Sequence, residues 1–113
     1  MAIGDRIPTE LCQTLLSTSA TNYFTNTSTN RTQLTGIFLV NTGSTQRTIT
    51  LYKNGLNPVN QMSNSIVLSG NASAWLPLSG MPFVFTGTQT FGAKQDVGTD
   101  VTMTAVGIVE QIA

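Results

Sequence analysis

An all-β chain, folded as one antiparallel β-sandwich of about eight short strands with a jelly-roll-like or Ig-like wrap, is predicted by three observations. Of the 113 residues, 19 are Thr, whose branched Cβ suits a pleated strand better than a helix. Short apolar–polar alternations recur with clusters of Gly, Pro, Asn and Ser between them, as the strands and turns of a sandwich do. No stretch of convincing length carries the apolar period of a helix; residues 9–16 come nearest, and Cys12 and Thr14 dilute them. At 12.0 kDa the chain has the size of one domain, large enough to bury about two thirds of its unfolded surface. Residues 1–8, ending at Pro8, are expected as an extended arm, and residues 9–113 as the sandwich.

The strands follow in order. Leu11 to Leu16 is the first, with Leu11, Gln13 and Leu15 on one face, and Asn22 to Thr25 is a short second. From Thr25 to Asn30 the chain is all Asn, Ser and Thr, a solvent loop. Gln33 to Val40 is the central strand. Its Ile37-Phe38-Leu39-Val40 run is apolar on both faces, so both need cover. Asn41 to Ser44 is expected as a hairpin turn with Gly43 free to take positive φ. The return strand, Thr48 to Tyr52, points Ile49 and Leu51 inward and Thr48 and Thr50 outward.

Residues 54–64 are the least regular, with Asn57-Pro58 favouring a turn, and are expected as a contact loop carrying Leu56, Val59 and Met62. Ile66 to Leu68, Ala74 to Leu78, Met81 to Phe85 and Thr88 to Lys94 are further strands. Pro77 and Pro82 restrict theirs to edges or strand starts. The last strand runs from Val101 to about Gln111. Val101, Met103 and Ala105 share one face, yet Val106 and Ile108 fall on the face of Thr102 and Thr104. Either a bulge resets the register near 105–107 or the second face is covered, for instance by a neighbouring subunit.

Composition bounds the chemistry. Five Lys and Arg balance five Asp and Glu, His is absent, and Thr, Ser, Asn and Gln fill 44 positions. Near-zero net charge favours association. The scattered cations give no footprint for nucleic acid. No apolar run reaches a membrane span, and residues 1–6 lack the pattern of a secretory signal. Without His the usual general base at neutral pH is missing. Asp96 and Asp100 flank a Gly as turn formers, too few for a calcium loop. Cys12 is the only cysteine and is expected as a small buried hydrophobe. The expectation is therefore a non-enzyme with no cofactor and no metal. Three Asn-X-Ser/Thr triplets, at Asn26, Asn30 and Asn71, are chance products of such a composition. Trp75, Tyr23 and Tyr52 could stack on sugar rings as a carbohydrate-binding module does, although Trp75, between Ala74 and Leu76, is more in keeping with a core or an interface.

The stretch Gln33 to Tyr52 joins an apolar strand ending in Asn41-Thr42 to a polar turn and an alternating Thr-rich strand. With Ile66-Val67-Leu68-Ser69-Gly70 and the closing Val101 to Glu110, it resembles the small β-sandwich virion proteins of tailed bacteriophages, over about residues 9–111. The resemblance implies a structural part of the virion without enzymatic activity. The role expected first is capsid decoration, a cement protein stabilising the head shell by multivalent non-covalent contacts. A tail, neck or fibre component is the alternative. The partners implied are the major capsid protein or other virion proteins, and a homo-oligomer, a trimer, is expected; nucleic acid and membrane are not. Such a protein is made in the host cytoplasm and resides in the virion. The interface candidates are Ile3, Ile7, Leu56, Val59, Met62, Val106 and Ile108.

Overall fold

A computed structural model describes residues 2–113 and all of their side chains but that of Asn64. Nine strands are described: β1 (Arg6–Leu15), β2 (Thr21–Thr25), β3 (Asn30–Asn41), β4 (Arg47–Lys53), β5 (Gln61–Leu68), β6 (Ser73–Pro77), β7 (Phe83–Phe85), β8 (Thr90–Gln95) and β9 (Val101–Gln111). One sheet has the order β1-β9-β3-β6, with β7 also paired to β3; the other has β2-β8-β4-β5. All pairs are antiparallel. The pairing is nested: β1 with β9, β2 with β8, β3 with β6 and β4 with β5. That is the wrap of a jelly roll, with β7 as a short addition, so of the two expected sandwich types the jelly roll is the one formed. The twelve residues of β3 span roughly 40 Å, which accounts for the 46 Å long axis of the molecule.

The core lies between the sheets. Leu34, Ile37 and Leu39 of β3 and Val101, Met103 and Ala105 of β9 face Ile49 and Leu51 of β4 and Phe91 and Ala93 of β8. Phe85 of β7 sits edge-on to Phe24 of β2 (5.9 Å between centroids) and to Phe91 (6.1 Å).

Several expectations change. Asn41–Ser44 is not a hairpin: β3 and β4 belong to different sheets, and the segment carries the chain across the sandwich edge. Its anchor is the buried Asn41 side chain. Nδ2 donates to the carbonyls of Thr45 (2.7 Å), Leu68 (3.3 Å) and Ser69 (3.2 Å), and Oδ1 accepts from the Gly43 N–H (3.0 Å). Gly43 is required for space and not for positive φ, since a Cβ there would lie 2.6 Å from the Asp100 carboxyl. That carboxyl is held by Arg47 at 2.6 Å.

Residues 25–30 are not wholly a solvent loop. Asn26 is buried, donating to the carbonyls of Thr27, Asn30 and Gly87 and accepting from the Thr32 hydroxyl at 2.6 Å. A buried amide so engaged cannot be a glycan acceptor. The arm expected over residues 1–8 is shorter: Arg6, Ile7 and Pro8 already pair with Glu110, Val109 and Ile108, and the Gly4 N–H donates to the Gln111 carbonyl at 2.7 Å. Residues 54–64 are only partly a loop. A 3-10 turn (Pro58–Asn60) leads directly into β5. On β4, Thr50 and Tyr52 are buried along with Ile49 and Leu51, so the outer face of the second sheet is covered there.

The irregularity expected in β9 lies in its neighbours. β9 keeps strict alternation, while β1 skips a residue between Glu10 and Cys12 and β3 skips one between Leu34 and Gly36. The β1 bulge opposes the Ala105–Val106 step and the β3 bulge the next one, Val106–Gly107, so the two flank Val106; the extra residues are Leu11 and Thr35. Leu11 therefore does not share a face with Gln13 and Leu15; it packs against the core. Gly107 fits beside this point because a Cβ would lie 2.2 Å from the Gln33 carbonyl oxygen. β9 thus sends Val106 and Ile108 to the outside with Thr102 and Thr104.

Candidate interaction surface

The outer face of the first sheet follows from these registers. Cross-strand neighbours form rows: Arg6, Glu110 and Arg31; Pro8, Ile108, Gln33 and Val84; Glu10, Val106, Gly36 and Pro77; Gln13, Thr104, Phe38 and Trp75; Leu15, Thr102, Val40 and Ser73. Phe38 and Trp75 meet edge to face at 5.6 Å and 89°. Trp75 is 73% exposed, and Leu15, Val40 and Val84 are exposed too. Isolated surface apolar residues are ordinary, but a contiguous patch marks an interaction site. Charge is sparse: Glu10 stands in the middle row, and at one end Arg31 pairs with Glu110 at 2.7 Å; pairs this exposed add at most about 1 kcal/mol.

The two bulges lie on either side of β9, one step apart around Val106. An open, mostly apolar groove of about 460 Å³ lies there, lined by Pro8, Glu10, Thr35, Val106 and Ile108 among others. Two of the seven interface candidates, Val106 and Ile108, therefore share one site. Ile7 pairs with Val109, on the opposite side of the strand from Pro8 and Ile108, and Ile3 is exposed before β1. Leu56, Val59 and Met62 lie apart, at the β4–β5 connection of the second sheet. Of these, Leu56 is half-buried over Gly92, Met62 packs against the core, and Val59 is freely exposed.

Phe38, Val84, Pro8 and Trp75 are not among the sequence candidates, although the neighbours of Trp75 in sequence already favour a core or an interface over sugar stacking. The two-faced apolar run at 37–40 was the sequence signal for Phe38. The three-residue strand beside Pro82 gives none for Val84.

Among the described residues no group of three or more His, Cys, Asp or Glu side chains is placed to hold a metal. Burial pushes the Cys12 thiol up, with a hydrogen bond involving the Ala105 backbone acting the other way and Glu10 adding to the rise; a thiol shifted upward is a weaker nucleophile at neutral pH. The Asp96 carboxyl is set against a slight burial that would raise its pKa. Hydrogen bonds from the Thr48, Val97 and Asp96 backbone, with Arg47 nearby, hold it below the ordinary carboxylate value. A depressed folded-state pKa stabilises the fold above the unfolded pKa, and that stability is lost as pH falls through the folded value. With no His in the chain, thermal melts are expected to be flat from about pH 5.5 to 7.5 and to decline below about pH 4. A melting temperature that changes through pH 6–7 would contradict this.

No family model and no curated protein matches the chain. Among solved structures, one described as a Bacillus endospore appendage of a novel family of disulfide-linked pili is similar over 99% of this chain and 93% of that one, with a TM-score of 0.55 and 17% identity. At that identity the likeness concerns the fold, an all-β sandwich. A second, the CBM22-1–GH10 modules of the Clostridium thermocellum xylanase 10B complexed with xylohexaose, aligns with 95% of this chain and 25% of that one, at a TM-score of 0.36 and 13% identity; that score is too low to carry an argument.

Proposed function

We propose that the chain is a non-catalytic structural subunit of a bacteriophage particle, in the first place a capsid decoration protein, that works by fitting against its neighbours. The observation that carries this is the outer face of the first sheet: apolar and neutral polar side chains across four strands, with few charges, and exposed apolar residues on it. A face of Thr, Val, Phe and Trp sheds its water at less cost than one of Lys and Glu. Each subunit's modest contact would sum over a lattice of identical sites. The sandwich likeness to a pilus protein is in keeping with a structural role, although fold alone does not assign one.

Fluorescently labelled protein mixed with purified virions of the producing phage tests this. Label over the head shell supports decoration, and label at the tail supports the tail, neck or fibre alternative. No retention on virions overturns the proposal. The exposure of Trp75 favours one second reading, a carbohydrate-binding face. Glycan binding that disappears in Trp75→Ala with the fold intact would establish that instead.

A further inference from the structure

We infer that the outer face of the first sheet pairs with the same face of a second copy, each Trp75 side chain entering the groove beside Val106 and Ile108 of its partner. The inference rests on the reading of this face as an assembly surface and names its occupant. The face carries both a knob and a hollow. Trp75, on β6, stands out from it at 73% exposure. The 460 Å³ groove lies on the other side of β3, over β9 and β1. Any two points on one face are exchanged by a two-fold axis lying in the plane of contact midway between them. A face with a knob on one side and a hollow on the other is therefore complementary to itself, as an isologous interface requires. The indole has on the order of 150–250 Å² to bury, and the groove is mostly apolar.

Area and charge agree with this occupant. From Thr102 to Ile108 the face runs roughly 20 Å along β9, and four strands with their side chains make it roughly 25 Å wide. That is on the order of 500–600 Å² per copy, or roughly 1,000–1,200 Å² for a pair, which reaches the lower limit of a specific contact. The rows place two cations, Arg6 and Arg31, and two carboxylates, Glu10 and Glu110, on this face. Its formal charge is balanced, so one copy does not repel another.

Trp75 is the only tryptophan, and its emission reports the contact directly. Sedimentation equilibrium of the purified chain over a wide concentration range is expected to rise toward twice 12.0 kDa, with a parallel shift of emission to shorter wavelength. Trp75→Arg or Val106→Glu alone should weaken pairing at least ~10-fold, while the two together should recover much of it, because each new charge meets the other across the interface. Both side chains lie on the outer face, so thermal melts of the separated monomers should stay close to the parent and would expose a folding defect. A parent that remains monomeric, an oligomer other than a dimer, or a dimer indifferent to both substitutions overturns the pairing. Virion binding is scored separately: a monomer that binds virions sinks only the pairing, and a dimer that ignores them sinks only the structural-subunit reading.

Discussion

Phe85→Ala is expected to lower the unfolding free energy by about 4 kcal/mol, the usual cost of emptying a fully buried Phe site. Phe85 is completely buried and is the only buried residue of the three in β7. Its ring is edge-on to Phe24 and Phe91, both in the opposite sheet. The Lys53 ammonium lies 5.5 Å from its centroid. One side chain therefore attaches β7 to the core and couples the sheets at that end. For a domain this size the melting temperature should drop by on the order of 15 °C. Val84→Ala, one residue away and facing outward, should change stability by less than about 0.5 kcal/mol. Denaturant unfolding of the three proteins decides it, and equal midpoints for parent and Phe85→Ala would refute the anchoring role.

The second large effect is expected at Asn41. Asn41→Leu keeps the volume nearly constant and removes every polar contact of the side chain. The carbonyls of Thr45, Leu68 and Ser69 lose their shared donor and the Gly43 N–H loses its acceptor. A buried polar group left unpaired costs about 1–3 kcal/mol. Allowing the Thr45 and Ser69 carbonyls some recovery by water, the loss should be about 3 kcal/mol. The disruption should extend to the Arg47–Asp100 pair beside the crossing. Amide hydrogen exchange reads the location: faster exchange at Gly43 and Asn71, whose N–H donates to the Gly43 carbonyl, with β9 unchanged. Uniformly faster exchange would mean that Asn41 is not a local anchor.

Much of the fold was legible because strand formation is written locally. The alternation of Thr48 to Tyr52, the apolar run at 37–40 and the Thr ladder of residues 101–105 each identify a strand without knowledge of its neighbours. Pairing is not local, and there the reading went astray. Asn41-Thr42-Gly43-Ser44 has the chemistry of a tight turn, yet the chain crosses between sheets there. What decides the matter is the reach of the Asn41 amide to residues 68 and 69, distant in sequence. Likewise Asn26 looks like one loop residue among many, and only its contacts with Gly87 and Thr32 bury it. The outer face was half visible. Val106 and Ile108 broke the expected pattern of β9 and were chosen as candidates for that reason. The groove beside them was not foreseeable, since it needs bulges in β1 and β3 to fall opposite adjacent steps of β9, on either side of Val106.

The nested pairing also constrains how this polypeptide is made. β9 lies between β1 and β3, so the first sheet has no middle until residues 101–111 have left the ribosome. Early strands must wait, unzipped, while the rest is synthesised. Contacts that join such distant segments slow the search for the native state, to milliseconds or seconds in all-β domains. During that interval the exposed edges of β1 and β3 are open to the wrong partner, another nascent chain included. Slower translation or lower temperature during expression should therefore raise the recovered yield more than any adjustment of buffer.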